Sequence, residues 1–455
     1  MAERYAVATG DWSDTATWDG GTLPGASDDV HANTYTVTID QDVTVTTLRT
    51  DAGTTASAGG GFETSGEVTV TADCVAGTTL CITINDGGSL IGDATGGTSS
   101  SAYGAYINSG GAMTGDATGG SGVSTYGAYL NGGDITGNAT GGAGTSAYGA
   151  FLRSGGTMTG DATAGTVSSA HGVYISTAGT LTGNATGGTS SSAYGAYLNG
   201  GDMTGNATAG TYSNAHGVYV GNGGTMTGDA TGGGTGYAHG AYVASGGTLI
   251  GDATGGTGSN SYGVNMAGGT MTGDATGGSA SGAYGVSAAT GAIVTGDCAG
   301  GTEANAHGGT FNSGSALIGN ATGSATAAAR GAMVLNGARL IGNATGGGVA
   351  NADGAYVYSG GIVAGNATGE SSHGAYIGEG GVAIIGTATG SSSSARGVYA
   401  PSRSVVVIAT ESGDYAKSLG AAVDTSYDTI PFAEPTGTGG GDEYPYPRAR
   451  LLGVG

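Results

Sequence analysis

Residues 113–118 read Met-Thr-Gly-Asp-Ala-Thr, and this short stretch decides the fold of the chain. Its last four residues form a tetrad of Gly, Asp or Asn, Ala and Thr. The tetrad occurs fourteen times at steps of 22 or 23 residues, with a last step of 21; two copies, at Gly296 and Gly386, are degenerate. A repeat this regular predicts stacked copies of one structural unit. The tetrads begin at Gly92, Gly115, Gly137, Gly160, Gly183, Gly205, Gly228, Gly251, Gly273, Gly296, Gly319, Gly342, Gly365 and Gly386.

Apolar and polar residues alternate through each copy, which is typical of a β-strand. In residues 113–118 the alternation predicts Met, Gly and Ala on one face, and Thr, Asp and Thr on the other. The residue two positions before each tetrad glycine is always apolar and is expected to face inward. This column holds Leu90, Met113, Ile135, Met158, Leu181, Met203, Met226, Leu249, Met271, Val294, Leu317, Leu340, Val363 and Ile384.

A second inward set follows each Tyr-Gly-Ala-Tyr-like segment. Two short strands per coil, joined by glycine-rich turns, cannot bury their apolar faces alone, but stacked copies can, at about 4.8 Å per coil. A coil of this length is too short to hold a crossover helix. The sequence therefore predicts an all-β, parallel β-solenoid (β-helix) of about fourteen coils of 22–23 residues, with irregular first coils and terminal caps. The second set includes Ala105, Ile107, Ala128, Leu130, Val173, Ile175, Ala196 and Leu198.

The chain divides into five predicted segments. Solenoid ends need caps, because an open last coil exposes unpaired backbone. We expect residues 1–35 to be an N-terminal cap or attachment segment, 36–88 irregular first β coils, and 89–400 the regular repeats. Residues 401–436 are predicted to cap the C-terminal end. Residues 437–455 are predicted to be an extended tail or docking arm, with a frayed terminus as the alternative.

Composition and charge exclude several classes of function. Glycine supplies 103 of 455 residues, but the repeat and the 24 tyrosines argue against disorder. Ten basic residues and a net charge of −23 predict no nucleic acid or anionic membrane as partner. No stretch approaches the roughly 18 apolar residues of a membrane span. The opening Met1-Ala-Glu-Arg-Tyr5 does not resemble a secretory signal, so we expect no conventional export signal.

The three cysteines have no metal-binding spacing and no even disulfide framework. Cys298 stands where other repeats have alanine, which predicts a small buried side chain. For Cys74 and Cys81 both a disulfide and buried thiols remain open.

One column precedes the Gly-Ala or Gly-Val pair of each repeat and contains five of the six histidines. We interpret it as a stacked, partly exposed aromatic ladder. The alternative is a metal ladder or a proton-responsive stripe, but no carboxylate or thiolate companions recur beside the histidines, so no metal is predicted. The column is Tyr103, Tyr126, Tyr148, His171, Tyr194, His216, His239, Tyr262, Tyr284, His307, Arg330, Asp353, His373 and Arg396.

A second column lies three residues further on, and alternation places it on the outer face. Three interpretations of this column stay open. Its rings either stabilise the stack, form a strip that binds a glycan or a partner, or form a subunit interface. Its first seven members, Tyr106, Tyr129, Phe151, Tyr174, Tyr197, Tyr219 and Tyr242, are the candidate surface-binding or interface residues. It continues with Asn265, Ser287, Thr310, Met333, Tyr356, Tyr376 and Tyr399.

The Asp or Asn of the tetrad forms a third column, in which stacked asparagines are expected to form amide ladders. Four successive aspartates, from Asp229 to Asp297, would repel unless hydrated, protonated or bridged by a cation. The calcium-binding nonapeptide of β-rolls is absent, so no cofactor is predicted. No catalytic constellation is present either, and the sequence predicts a protein that is not an enzyme. The column is Asp93, Asp116, Asn138, Asp161, Asn184, Asn206, Asp229, Asp252, Asp274, Asp297, Asn320, Asn343 and Asn366.

The N-terminal segment resembles the opening motif of many phage virion proteins and of some bacterial surface β-helix proteins. The resemblance covers about 40 residues: Trp12-Ser-Asp-Thr-Ala-Thr-Trp18-Asp-Gly-Gly-Thr-Leu-Pro24, then Ser27-Asp-Asp-Val30 and Tyr35-Thr-Val-Thr-Ile-Asp40. In the surface proteins the motif normally follows a signal peptide, whereas here it begins close to Met1, which favours a virion protein. The resemblance implies a fibre or decoration protein of tail or head, often trimeric.

The prediction is therefore a non-enzymatic structural or attachment protein located on a virion, most simply a phage fibre or decoration protein. Its expected partners are other virion or surface-assembly proteins, a cell-surface glycan and further copies of the chain. The first alternative is a bacterial extracellular adhesin or matrix fibre. The second is an ice-binding solenoid, since Thr114 and Thr118 begin regular threonine rows, although aspartates and isoleucines interrupt them. Outward Ile318 and Ile341 hint at a contact between chains. The candidate attachment residues are Trp12, Trp18, Tyr444, Tyr446, Arg448 and Arg450.

Overall fold

Successive coils of the chain pair in parallel along the whole described length of the protein. The computed structural model describes residues 2–50, 61–166, 170–189, 191–326, 328–348, 351–390, 396–400, 404–412 and 417–419. The predicted parallel β-solenoid is confirmed. The stack is longer than the fourteen regular coils, because the segments before and after the regular repeats also wind as coils of the same stack.

One wall of the solenoid, here called the tyrosine sheet, takes one strand from each coil. Neighbouring strands pair without offset, so that Tyr106 lies opposite Tyr129 and Ile107 opposite Leu130. Its strands are Gly10–Asp11, Thr36–Ile39, Gly61–Thr64, Ile82–Ile84, Ala105–Asn108, Ala128–Asn131, Ala150–Arg153, Val173–Ser176, Ala196–Asn199, Val218–Gly221, Ala241–Val243, Val264–Met266, Val286–Ala288, Gly309–Phe311, Ala332–Leu335, Ala355–Tyr358, Ala375–Ile377, Val398–Ala400 and Lys417–Leu419.

The other wall, here called the threonine sheet, takes two short strands from each regular coil. The strand pairs are Ser89–Ile91 with Ala94–Thr95, Ala112–Thr114 with Ala117–Thr118, Asp134–Thr136 with Ala139–Thr140, Thr157–Thr159 with Ala162–Thr163, Thr180–Thr182 with Ala185–Thr186, Asp202–Thr204 with Ala207–Thr208, Thr225–Thr227 with Ala230–Thr231, Thr248–Ile250 with Ala253–Thr254, Thr270–Thr272 with Ala275–Thr276, Ile293–Thr295 with Cys298–Ala299, Ala316–Ile318 with Ala321–Thr322, and Arg339–Ile341 with Ala344–Thr345.

The regular coil thus has three strands, and the prediction of two per coil was wrong. The extra break falls at the tetrad glycine, for example at Gly115, which has φ +144°. Towards both ends of the solenoid the threonine sheet has one strand per coil. These strands are Glu3–Tyr5, Asp29–His31, Val43–Thr50, Thr69–Ala76, Ile362–Gly369, Val382–Gly390 and Val405–Ser412. The described helical structure is limited to the 3₁₀ turns Thr15–Thr17 and Asp19–Gly21. No helix within the described ranges is both long and apolar enough to cross a membrane.

The core is a narrow seam between the two sheets. Met113 and Ile135 from the threonine sheet, and Ile107 and Leu130 from the tyrosine sheet, are all buried. On the same threonine-sheet strands, Thr114, Asp116 and Thr118 are exposed, as the alternation predicts. The inward column was wrong at one position. Ala383 faces the core and Ile384 is 37% exposed, because the pairing with the previous coil shifts by one residue after Gly365.

The tryptophan motif forms the first coil of the solenoid. Glu3–Tyr5 pairs with Asp29–His31, and Gly10–Asp11 pairs with Val37–Thr38 of the next coil. Trp12 and Trp18 are buried at this end of the core, with ring centroids 4.8 Å apart in an edge-on contact. The Trp18 indole N–H donates to the backbone carbonyl of Trp12 at 2.9 Å.

All three cysteines are buried as free thiols. Cys298 lies in register between Ala275 and Ala321, as predicted. Cys81 donates its thiol hydrogen to the carbonyl of Leu48 at 3.2 Å. Of the two alternatives for Cys74 and Cys81, the structure therefore has buried thiols. A hydrogen bond with Cys81, together with burial, raises the pKa of the Cys74 thiol.

The tetrad glycines cannot be replaced without a clash. A Cβ on Gly228 would lie 2.2 Å from the carbonyl oxygen of Gly205 in the previous coil, and the φ of +138° is itself strained for other residues. We expect Gly228→Ala to lower the free energy of unfolding by at least ~3 kcal/mol, measured by urea unfolding followed by circular dichroism. Gly223→Ala, in the same coil at φ +84° with nothing within 4 Å of the new Cβ, is the control and should cost about 1 kcal/mol. Equal losses in the two variants would contradict the assignment.

Candidate functional site

The tyrosine sheet carries a double ladder of aromatic rings. Its inner column stacks ten rings without interruption, with neighbouring centroids 4.7–5.2 Å apart and planes within 22° of parallel. These spacings lie within the favourable range for aromatic pairs. The rings belong to Tyr103, Tyr126, Tyr148, His171, Tyr194, His216, His239, Tyr262, Tyr284 and His307.

The outer column contains the seven candidate binding residues, Tyr106, Tyr129, Phe151, Tyr174, Tyr197, Tyr219 and Tyr242. Their ring centroids lie 4.4–5.4 Å apart and their planes are within 6° of parallel. Inside the stack, each ring has both faces covered by the rings of adjacent coils. What the column presents outward is therefore a row of ring edges and phenol hydroxyls, about one coil apart.

The phenols of Tyr126 and Tyr197 are neutral at physiological pH. Burial, with smaller contributions from neighbouring tyrosines, raises the pKa of Tyr126 to about 12. The same causes raise the pKa of Tyr197 to about 12. A neutral phenol both donates and accepts a hydrogen bond, so the row can serve ligands with alternating donor and acceptor groups.

The histidines of the inner column use one ring nitrogen to hold the backbone. The Nδ1 atom of His239 accepts the N–H of Tyr262 at 3.0 Å, one coil later, and His307 Nδ1 accepts the N–H of Arg330 at 2.9 Å. His171, His216 and His373 make the equivalent bond at 3.1–3.2 Å. This arrangement requires Nδ1 without a proton. Burial accordingly lowers the pKa to about 4 for His171 and about 3 for His239.

After His307 the inner column continues with Arg330, Asp353, His373 and Arg396, so charged residues interrupt the rings. Arg330 Nε lies 3.5 Å from Asp353 Oδ2, and the Arg330 guanidinium carbon lies 4.2 Å from the ring centre of Tyr356. Ser372 donates its hydroxyl hydrogen to Asp353 Oδ1 at 2.7 Å. The repeat pattern predicted that Arg330 and Asp353 occupy this column, but it did not predict their pairing. Opposite charges in adjacent coils of one column are the pattern that predicts this ion pair.

The Asp and Asn residues of the tetrads form a ladder to the backbone. Asp116 Oδ1 accepts the N–H of Asn138, and Asn138 Oδ1 accepts the N–H of Asp161, at 2.8 and 3.0 Å. Asp229, Asp252 and Asp274 continue the ladder in the same way, up to Asp297. Only Oδ1 is needed, which explains why Asp and Asn alternate freely. The predicted amide ladder is present in part, for example from Asn343 Nδ2 to Asn320 Oδ1 at 2.9 Å. In the four successive aspartates, from Asp229 to Asp297, each Oδ1 thus accepts a backbone N–H of the next coil.

No cluster of three or more His, Cys, Asp or Glu side chains able to hold a metal ion occurs among the described residues. Trp12 and Trp18, two of the candidate attachment residues, lie in the core, so their side chains are not available to a partner. Tyr444, Tyr446, Arg448 and Arg450 lie outside the described residues.

Comparison with known proteins adds little to this picture. No protein-family model matches the chain, and no curated protein matches it. Among solved structures, the chain is similar to the crystal structure of a TibC-catalysed, hyper-glycosylated TibA55-350 fragment, at 19% identity and a TM-score of 0.21. The match covers 87% of this chain and 99% of that chain. A likeness at this level assigns no function, and the fold and its ladders define the class of protein: a β-helical repeat protein with an ordered surface.

The backbone role of the Asp/Asn ladder can be tested at Asn206. Its Oδ1 accepts the N–H of Asp229 at 2.9 Å. We expect Asn206→Ala to lower the free energy of unfolding by about 1 kcal/mol, and Asn206→Asp, which keeps the acceptor, to change it by less than ~0.5 kcal/mol. Urea unfolding measures both. Equal destabilisation by both substitutions would show that the amide Nδ2, and not Oδ1, is the important group.

The buried histidines predict a loss of stability in acid. An unfolded histidine has a pKa near 6.5, whereas His239 in the solenoid has a pKa of about 3 because of burial. The unfolded chain therefore binds more protons below pH 6.5, and stability should fall from that pH towards pH 3. Replacing His239 by Tyr, the commonest residue of its column, should reduce the fall by on the order of 2 kcal/mol. The carboxylates contribute equally in the unmodified chain and in the His239→Tyr variant. If their curves of unfolding free energy against pH were parallel, the prediction would be refuted.

Proposed function

We propose that the chain is a non-enzymatic structural and attachment protein of the bacterial surface, of the adhesin or matrix-fibre type. In this proposal the solenoid is a rigid support and the outer aromatic column is its contact surface. The single observation that carries the proposal is the uninterrupted row of seven rings from Tyr106 to Tyr242, which presents hydroxyl edges at the spacing of the coils.

The outer rings are not needed for the coils to stack. In the four coils of Asn265, Ser287, Thr310 and Met333, the column lacks rings, yet the strands pair in the same register as before. Stacking alone therefore leaves the seven aromatic residues unexplained. In this proposal, a ligand that binds the outward edges of the rings explains why these seven positions are aromatic.

The chemistry of the row favours an uncharged linear glycan as the ligand. The raised pKa of Tyr197 keeps its hydroxyl available as a hydrogen-bond donor. A ligand rich in hydroxyls fits a row of neutral phenols, whereas an acidic polymer is repelled by a chain of net charge −23. Because the ring faces are covered within the stack, we expect binding through hydroxyl edges instead of sugar-to-ring stacking.

A phage fibre or decoration protein is the second candidate. The resemblance of residues 12–40 to the opening of phage virion proteins favours it, and the same contact surface would serve a virion. Immunogold electron microscopy of the native assembly separates the two: label on bacterial surface fibres supports the first proposal, and label on phage particles supports the second.

Removal of the outer hydroxyls tests the contact surface. We expect the combined Tyr106→Phe, Tyr129→Phe, Tyr174→Phe and Tyr197→Phe variant to lose at least ~10-fold in affinity for an immobilised neutral polysaccharide from the cell surface, equivalent to about 1.4 kcal/mol. Phe151 already occupies this column, so the stack tolerates phenylalanine.

A matched variant on the opposite wall is the control. Thr114→Val, Thr136→Val, Thr159→Val and Thr182→Val remove the same number of hydroxyls from the threonine sheet and should leave binding unchanged. Equal affinity of the tyrosine variant and the unmodified chain, with both folded by circular dichroism, would rule out the proposed surface.

A further inference from the structure

The threonine sheet changes its chemistry towards its C-terminal end. Two outward columns that hold mainly Thr, Ala and Asp in earlier coils become mainly aliphatic. In one, Ile293 is followed in register by Ala316, Arg339, Ile362, Val382 and Val405. In the other, Thr295 is followed by Ile318, Ile341, Ala364 and Ile384. The aliphatic patch is defined here as Ile293, Ile318, Ile341, Ile362, Val382, Ile384 and Val405.

Four of the seven patch side chains are exposed, and Ile318, Ile362 and Val382 are partly exposed. Ile293 is 45% exposed, Ile341 38% and Val405 53%. Elsewhere in these columns only single isoleucines occur, at Ile91 and Ile250. Contiguous exposed apolar surface on a soluble protein generally marks a contact site.

The threonine sheet of these coils also loses its ladder aspartates after Asp297. The Asp/Asn ladder reads Asp229, Asp252, Asp274 and Asp297 in the four coils up to the start of the patch, and then Asn320, Asn343 and Asn366 within it. From Cys298 to Gly390, the described threonine-sheet residues include no carboxylate, and Arg339 is the charged residue. Because Asp and Asn serve the backbone ladder equally well, this change is not required by the fold.

We propose that the aliphatic patch is the surface through which two copies of this chain pack face to face. A chain of net charge −23 repels its own copies, so a contact between copies needs a face free of carboxylates. Between its first coil, which carries Asp297, and its last strand, which contains Glu411, the patch is such a face. The walls of two solenoids can approach to about 10 Å, the usual spacing of stacked sheets.

The size of the patch sets the strength of the dimer. Six coils at about 4.8 Å and a sheet width of roughly 20 Å give on the order of 600 Å² per copy. A standard stable interface buries about 800 Å² per partner. We therefore expect a dimer that dissociates on dilution in the micromolar range.

Sedimentation velocity of the full chain over a range of concentrations tests the proposal. The unmodified chain should shift from monomer to dimer as the concentration rises. Ile293→Thr, Ile318→Thr, Ile341→Thr and Ile384→Thr combined should weaken the dimer at least ~10-fold. Threonine occupies the same columns at Thr270 and Thr272, so the fold is retained. The control, Ile91→Thr with Ile250→Thr, removes isolated isoleucines outside the patch and should leave the equilibrium unchanged.

A second variant tests the role of charge. Asn320→Asp, Asn343→Asp and Asn366→Asp combined keep the Oδ1 acceptors of the ladder but restore carboxylates to the face. This variant should dissociate more readily, and more so at low than at high salt, because salt screens the repulsion. A chain that stays monomeric at every concentration, or an oligomer indifferent to both patch variants, overturns the proposal. If the chain stays monomeric, the patch would instead bind a different protein.

Discussion

Backbone hydrogen bonding between successive coils, in strict parallel register, is the constraint on which the rest of the structure depends. It places each residue above its counterpart one repeat earlier, for example Ala117 between Ala94 and Ala139. The tetrad glycines make this close stacking possible where the strand bends. At Gly137 any Cβ would lie 2.0 Å from the carbonyl oxygen of Gly115, so the position admits only a residue without one.

Once the register is set, the residues of each column have to meet a physical requirement of that column alone. The column of Met113 must be apolar because it lines the seam, and the column of Asp116 needs only a short side chain with a carbonyl-type oxygen. The outer column of Tyr129 is constrained less, since coils with Ser287 or Thr310 pair as well as coils with tyrosine. Surface chemistry can therefore change abruptly along one wall while the fold stays the same. The end of the aromatic row after Tyr242 and the onset of the aliphatic patch at Ile293 are both such changes.

The periodicity of the sequence was enough to predict the solenoid, the inward columns and the outward orientation of the tyrosines. It did not predict the strand break at Gly115, because burial alternates in the same way whether a strand continues or bends there. It also misplaced Ile384, because the last tetrad step of 21 residues does not show where in the coil the pairing shifts by one residue. Pattern alone does not distinguish an exposed aromatic pair from one that closes a core, so it did not predict the burial of Trp12 and Trp18. The candidate site was located as a column, but its ring geometry, with faces covered and edges exposed, depends on side-chain rotations that a sequence does not encode.

Each coil is bonded only to the coil before it and the coil after it, and the regular repeats are nearly interchangeable. The length of the solenoid can therefore change without a change in its fold. Tandem DNA repeats recombine readily. An in-frame gain or loss of one repeat lengthens or shortens the solenoid by one coil, about 4.8 Å. The first and last coils stay unchanged. Solenoids of different length can then be built from one plan, and how far the protein extends can change without a change in any coil.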